Sequence, residues 1–472
     1  MNSDKTKKRQ SLKIIISEAI MVLAVIITVA ILALLVSGYW INSDFEVERQ
    51  GMLQIYSSPT GANVNIDGEA SSWLQRTNTS KVLSSGEHTV TLSKDGYDSW
   101  SKTINVKEGL LYRLHYPRLF LTERTPEKTL STAGTTHAIL ASDHDSLVLT
   151  NNTTNWSYLK LNADKLEPKS LDISKYFSGV SLAEGTKTGL FTGEILDANW
   201  DYNTEHILFQ VKNNDAIEWV LIDVKNPDNS INLTKEFGGN FSTIKILDNS
   251  SNNLLAIQHG NLHKIDVPGR SVSAVLVDNI LNFDHFRNEI IFTAKTHNDS
   301  SEQISDYYIG YFKIGDDEIT KIMDIDSPSK VAISKFYDDK YITILSNTSV
   351  TIYKKDNLEH FANYDLSFTP EHLKVGRDGE FITMYTGNTI ATVDMEANTL
   401  REWTADGNSF GWLDNDMIYS VADGELYAYD FDGLNRRHLA KNVSSHFPSG
   451  ITDNKWLYYF SDDNLIREII AE

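Results

Sequence analysis

No cysteine occurs among the 472 residues. That absence excludes thiolate metal sites, cysteine nucleophiles, disulfides and lipid attachment at an N-terminal cysteine, so any stability outside the cytoplasm comes from core burial alone. No HExxH spacing and no Walker or dinucleotide glycine loop appears, and the 13 histidines are scattered without paired metal spacing. The residues therefore supply no catalytic, cofactor-binding or metal site, the chain is read as not an enzyme, and its binding residues are unknown from sequence. Basic residues are also scarce, 43 Lys+Arg against 64 Asp+Glu for a net charge of −21. The imbalance is uneven: residues 1–18 are net positive, with Lys5, Lys7, Lys8, Arg9 and Lys13 against Asp4 and Glu18, and everything after them is more acidic than the total. Such a field repels nucleic acid and other anionic polymers, so no nucleic-acid partner is expected.

What is present is a folded composition, 41% hydrophobic and 23% charged, long enough for two or three domains. From Ala19 to Ser43 there is no charged residue, and Ala19 to Val36 holds one polar side chain, Thr28. As a helix this run would reach roughly 37 Å at about 1.5 Å per residue, against a hydrocarbon core of about 30 Å. Tyr39 and Trp40 stand where an interfacial aromatic belt belongs, and the basic residues ahead predict a cytoplasmic N-terminus. The competing reading is a cleaved signal peptide with Val36 and Gly38 at its processing site, but the apolar stretch exceeds the roughly 7 to 15 residues of a secretory core. An uncleaved single-pass anchor is expected, with the rest of the chain extracytoplasmic.

Residues 51–118 read as a small β module. Leu53 and Ile55 alternate, Ser58-Pro59-Thr60-Gly61 breaks the run, Ala62, Val64 and Ile66 resume it, and Asp67-Gly68 turns it. A later run at His88 to Leu92 leads into Lys94-Asp95-Gly96-Tyr97, and Trp100, Lys102, Ile104 and Val106 follow with period two. The outline is a sandwich of four or five strands. The stretch Ser58 to Gly68, then Ser85-Gly86-Glu87-His88 and Ser93-Lys94-Asp95-Gly96-Tyr97, resembles the PEGA domain over about 65 residues. It departs from that pattern at Thr60, where a glutamate is usual, and at Thr77-Asn78, where Thr-Pro is usual. The resemblance implies a non-catalytic, envelope-associated β-sandwich, often next to a membrane helix. The residues themselves assign Pro59, Gly61, Gly68, Gly86 and Gly96 to turns.

From about residue 128 one unit repeats. Marking the second strand of each unit at Leu147, Ile207, Leu254, Ile290, Tyr341, Phe381, Ile418 and Leu457 gives a mean period of about 44 residues, within the range of propeller blades. A four-stranded unit cannot bury both faces alone, so eight units predict eight blades stacked around an axis, with seven as the alternative. The last unit is a strand short, and Arg118 to Thr125 is expected to supply it. The units resemble the loose propeller repeats of bacterial extracytoplasmic proteins and lack the Gly-His and Trp-Asp signatures of WD repeats. Two insertions, Asp172 to Gly189 and Lys295 to Asp306, interrupt the period.

Three local patterns invite functional readings. Gly407-Asn408-Ser409-Phe410-Gly411 matches a nucleophile elbow with His438 and His446 downstream, but it sits in β pattern without the α/β sheet that motif requires. Asp430-Phe431-Asp432-Gly433-Leu434-Asn435 resembles the start of a calcium loop without its later ligands and reads as a turn, while Asp462-Asp463 reads as solvated loop charge. Asn155, Asn232 and Asn347 begin Asn-x-Ser/Thr triplets that matter only in a host that glycosylates them.

The expected protein is all-β behind one transmembrane helix: a basic cytoplasmic segment at 1–18, the helix at 19–43, a PEGA-like sandwich at 44–118 and a β-propeller at 119–472. Its expected function is that of a membrane-anchored extracytoplasmic scaffold of the cell envelope, binding protein or glycan partners without cofactors. The alternative is a propeller-based hydrolase or lyase acting on envelope polysaccharide.

Overall fold

The computed structural model describes residues 18, 20–33, 39–41, 47–70, 76–181, 189–247, 251–296, 306–316 and 318–472. Its contacts divide into two compact units, Met1–Thr122 and Glu123–Glu472.

Near the N-terminus, residues 20–33 are helical, and their side chains are exposed throughout. Thr28, the polar interruption, donates its hydroxyl to Ala24 O at 2.8 Å, so the helix satisfies it internally. The described helix is about 21 Å long, and among the described residues no helix is long and apolar enough to cross a membrane. The expected helix through Ser43 is also corrected at its far end. Tyr39–Ile41 is a strand, paired antiparallel with Val47 to Arg49, so the chain has already turned to sheet pairing where the aromatic belt was placed. Residues 19, 34–38 and 42–43 of the expected span lie outside the described residues.

The first unit's β module is larger than the four or five strands expected. Two four-stranded sheets form it: one joins Tyr39–Ile41, Val47–Ile55, Thr79–Ser84 and Leu111–Leu114, the other Glu69–Ala70, Asn63–Ile66, Gly86–Ser93 and Trp100–Val106. Alternation places Leu53, Ile55, Val64, Val90, Leu92, Trp100 and Ile104 in the core. The departure at Thr77-Asn78 has a structural basis. The buried Thr77 hydroxyl accepts from the Gly61 and Ala62 N–H groups at 2.9 and 3.1 Å. Asn78 donates its own N–H to Ile55 O at 2.7 Å from a φ of 72°, two things proline cannot do.

In this unit His88 donates from Nδ1 to the Asp67 carboxylate at 2.6 Å and from Nε2 to Ser84 O at 2.9 Å, which requires the protonated ring. Burial alone would depress the imidazole, but these bonds and the Asp67 charge raise it above its ordinary 6.5. The bonds from His88 and from the Thr89 N–H hold Asp67 below its ordinary 3.8. The stability from His88 is therefore complete below pH 6.5 and lost as pH rises through the higher folded value, while that from Asp67 is complete above pH 3.8 and lost as pH falls through the lower one. Thermal unfolding of the full chain from pH 5 to 9 should show His88→Gln closing on the wild type as pH rises. A gap independent of pH would refute the assignment.

The second unit holds eight four-stranded antiparallel sheets in succession among the described residues, spanning 135–172, 194–232, 241–272, 280–325, 330–365, 372–404, 409–441 and, for the eighth, 450–469 with 127–131. Each of the eight second-strand markers read from the sequence lies in the second strand of its sheet. Six of the turns between second and third strands are two residues long, and their first residues, Asn214, His259, Asn347, Gly387, Asp423 and Asp462, all have positive φ. That is the hairpin geometry Asn, Asp and Gly tolerate best, and it gives Asp462-Asp463 a backbone role beyond solvated charge.

Apolar clusters join neighbouring sheets around a ring. Val148 and Trp156 of the first pack with Ile207 and Phe209 of the second, Leu208 and Trp219 of the second with Leu254 of the third, and so on through the seventh. The seventh and eighth are tied by Ile451 N–H to Leu413 O at 2.7 Å and Ser444 N–H to Phe460 O at 2.8 Å. Leu147 and Leu159 of the first then close onto Tyr458 and Phe460 of the eighth. The strand completing the eighth sheet is Glu127–Ser131, not Arg118 to Thr125. Residues 118–122 are committed to the first unit, where Asp98 and Thr122 N–H groups bond Phe120 O and Gly96 O. The closing strand is held further by Arg467 Nη2 on the Glu127 carboxylate at 2.8 Å.

The first insertion is ordered where it is described. Val180–Ser181 pairs with Leu190–Phe191, Phe177 and Phe191 are buried against Trp156, and Glu218 accepts the Ser178 N–H at 2.9 Å. Residues 182–188, and most of the second insertion at 297–305, lie outside the described residues.

Candidate functional site

The first strand of each sheet in the second unit follows the connection from the sheet before it. The ends of these strands and the turns after them bring residues of five sheets around one cavity of about 650 Å³. Tyr202 enters from the second sheet, Lys245 from the third, Asp284, Phe286 and Arg287 from the fourth, Ile333 and Lys335 from the fifth, and Leu373, Lys374, Val375 and Arg377 from the sixth.

Two features build the walls. On one side Asp284 links three consecutive sheets, accepting Lys245 Nζ at 3.1 Å from the third and the Ile333 N–H at 3.1 Å from the fifth, while Lys245 also donates to Phe283 O at 2.8 Å. On the other, Arg377 stacks on the Tyr202 ring with its guanidinium 4.6 Å from the centroid and Nη2 3.4 Å from Tyr202 O. The second and sixth sheets have three sheets between them either way round, so this contact crosses the middle of the ring.

The charge of the cavity is opposite to that of the chain. Five cationic residues line it against the single carboxylate of Asp284, and that carboxylate is already engaged by Lys245 and the Ile333 N–H. Among the described residues no carboxylate lies within ion-pair reach of Lys335 or Lys374. Lys374 instead has its ammonium 5.8 Å from the centre of the Tyr385 ring.

Lys374 also borders a second cavity of about 380 Å³, whose lining includes Tyr385, Phe410, Trp412, Ser409 and Ser445. Tyr385 and Phe410 meet edge to face at 5.2 Å. Beyond it, His144 donates from Nε2 to Trp412 O at 3.2 Å, and burial pushes its imidazole below the ordinary range, which keeps the ring neutral.

The elbow-like motif falls at this second cavity with the wrong geometry for a nucleophile. Ser409–Trp412 is a strand, and the Ser409 hydroxyl donates to Ser445 O at 2.7 Å rather than to a histidine. His438 is on the fourth strand of that sheet, 3.5 Å from Glu425, and His446 is in the following loop. The calcium-like stretch is a turn closed on itself: Gly433 N–H bonds Asp430 O at 2.9 Å and Asn435 Nδ2 bonds the Asp430 carboxylate at 2.8 Å. Among the described residues no group of three or more metal-ligating side chains gathers. Of the three Asn-x-Ser/Thr asparagines, Asn232 is buried and its amide donates to Tyr176 O at 2.7 Å and to the Glu218 carboxylate at 2.8 Å.

None of the cavity cations was singled out by the sequence. The available signal was positional: Lys245, His285, Lys335 and Lys374 put one basic residue near the end of the first strand in four consecutive sheets.

Residues 50–117 match the PEGA domain. Among curated proteins nothing matches this chain. Solved structures similar to it are β-propellers. The β-propeller domain of Myceliophteria thermophila Cps50 (Swd1) is 10% identical with a TM-score of 0.40, over 74% of this chain and 100% of that one. The Dos1 propeller is 12% identical with a TM-score of 0.43, over 74% and 94%.

Proposed function

We propose that this is a membrane-anchored binding or scaffold protein of the cell envelope, in which an N-terminal apolar helix holds a PEGA domain and an eight-bladed propeller on the extracytoplasmic side. The observation that carries the binding role is the preformed cavity at the ring's centre, lined by cations and apolar side chains drawn from five sheets. Eight four-stranded sheets, the last completed by a strand from the start of the unit, support eight blades rather than seven. The anchor rests on the charge-free run at 19–43 and on the apolar side chains that residues 20–33 expose on all sides. The envelope location rests on the PEGA match and on the basic residues preceding that run.

The hydrolase alternative would use two carboxylates about 5 to 9.5 Å apart at the reacting bond. Asp284 alone lines the central cavity among the described residues, and it is held by Lys245, which favours binding over that chemistry. The test is fractionation followed by capture. The full chain should stay with membranes through an alkaline carbonate wash, Ile26→Glu with Ile27→Lys should release it, and the wild type used as crosslinked bait should retain envelope protein or glycan. A wild type recovered wholly in the wash would remove the anchor; a bait that retains nothing while the purified chain cleaves envelope glycan would replace the binder with the enzyme.

A further inference from the structure

We infer that the two adjoining cavities form one site for an acidic segment of a partner protein, its carboxylates against Lys335, Lys374 and Arg377 and a neighbouring apolar side chain beside Tyr385 and Phe410. The inference deepens the binding role proposed above and rests on it.

Charge is the first argument. A chain with 21 more acidic than basic residues has concentrated cations at the centre of its ring, where the one lining carboxylate is used internally. Like charges gathered in a recess raise each other's energy and focus a positive potential outward, and an entering anion relieves both. Lys335 and Lys374 are the groups most in need of that anion, since the described residues offer them no carboxylate.

The second argument is the pairing of unlike cavities. Their volumes of about 650 and 380 Å³ fall in the usual range for ligand sites, about 300 to 1,000 Å³. The larger is cationic and the smaller has an aromatic wall, with Lys374 common to both. A polypeptide supplies carboxylate and apolar side chains in succession, which fits a cationic recess beside an aromatic one. Phosphate nests are built from successive backbone N–H groups, whereas the donors here are long side chains, Lys335 on the fifth sheet and Lys374 and Arg377 on the sixth. A uronic-acid glycan would pair with the lysines and could lay a ring face on Tyr385, but it brings a carboxylate with every ring, whereas a peptide places a wholly apolar side chain beside Tyr385 and Phe410.

The experiment is fluorescence anisotropy on the full chain in mild detergent with a labelled peptide of sequence Glu-Glu-Leu-Trp-Glu-Glu. Oligogalacturonate and inorganic phosphate serve as competitors. The peptide should bind, weaken with added salt, lose tenfold or more of its affinity in K374E and more in K335E/K374E, and keep it in K335R/K374R. Lys374 is exposed, so K374E tests the site without endangering the fold, and an unchanged thermal transition verifies that. Equal peptide affinity in wild type and K374E, or no peptide binding, overturns the inference; oligogalacturonate binding in the peptide's place would make the site a glycan site. The envelope bait separates the levels. If K335E/K374E retains the same crosslinked partner as the wild type, the acidic-segment site is wrong and the binding role stands elsewhere on the ring; if neither retains a partner, the binding role itself has failed.

Discussion

Trp156→Ala should destabilise the second unit by about 3 to 5 kcal/mol, the cost of emptying a fully buried aromatic site. Trp156 is 1% exposed and lies where the first and second sheets meet. Its ring is 5.4 Å from that of Phe177, 5.3 Å from Phe191 and 5.3 Å from Phe209, and its Nε1 donates to Asn151 O at 3.3 Å. One of those three rings, Phe177, comes from the first insertion, and Phe191 follows directly after it, so the vacated volume would be bounded partly by that inserted segment. Trp156→Phe keeps most of the contact area and should cost about half as much or less. Urea denaturation of the full chain, followed by circular dichroism in the strand band, measures both. An alanine variant within about 1 kcal/mol of the wild type would show that the insertion collapses into the gap and that the cluster does not hold the two sheets together.

Gly379→Ala should cost about 2 to 5 kcal/mol, a large effect for one methyl group. Gly379 has a φ of 78°, which costs roughly 1 to 2 kcal/mol for an L-residue. A Cβ there would also stand 2.2 Å from Lys335 O and 2.8 Å from Lys335 C, backbone atoms of the neighbouring sheet that cannot swing aside. Forcing them apart adds about 1 to 3 kcal/mol. Because Gly379 and Lys335 both line the central cavity, the same substitution moves the fifth and sixth sheets apart at its wall. Denaturation of the full chain reads the stability, and a Gly379→Ala protein as stable as the wild type would mean that the turn of the sixth sheet does not pack on the fifth as described.

The features legible in the sequence are those with local causes. Short β-rich runs at Leu147, Ile207, Leu254 and the other markers located every second strand of the ring, because a strand buried on both faces carries apolar residues at successive positions. Asp67-Gly68 was legible as a turn because it too is set locally, since positive φ at both positions selects those residue types. The PEGA region was legible because its turn residues occur in order along about 65 positions. Where longer-range competition decides, reading along the chain fell short. Arg118 to Thr125 has strand pattern enough to complete the ring, but its first five residues bond the PEGA unit, and the next strand takes the role. Tyr39 to Ile41 continues an apolar run yet pairs with Val47 to Arg49.

The candidate site was the least legible part. Its residues span from Tyr202 to Gly379 and belong to five sheets, with no spacing that marks them as a set, and the net charge of −21 pointed away from a cationic centre. A net charge is an average over the surface, and it conceals a local inversion wherever folding gathers the minority sign. By itself the sequence determined the all-β class, the order of the parts, the repeat and the absence of thiol chemistry, because composition, alternation and turn residues act within a few positions. Only the tertiary structure decided which strand closes the ring, that Asp284 would be spent on Lys245 and the Ile333 backbone, and that five cations distant in sequence would line one cavity. Those outcomes depend on which sheets become neighbours around the ring, and ring closure is a property of all eight sheets together rather than of any one segment.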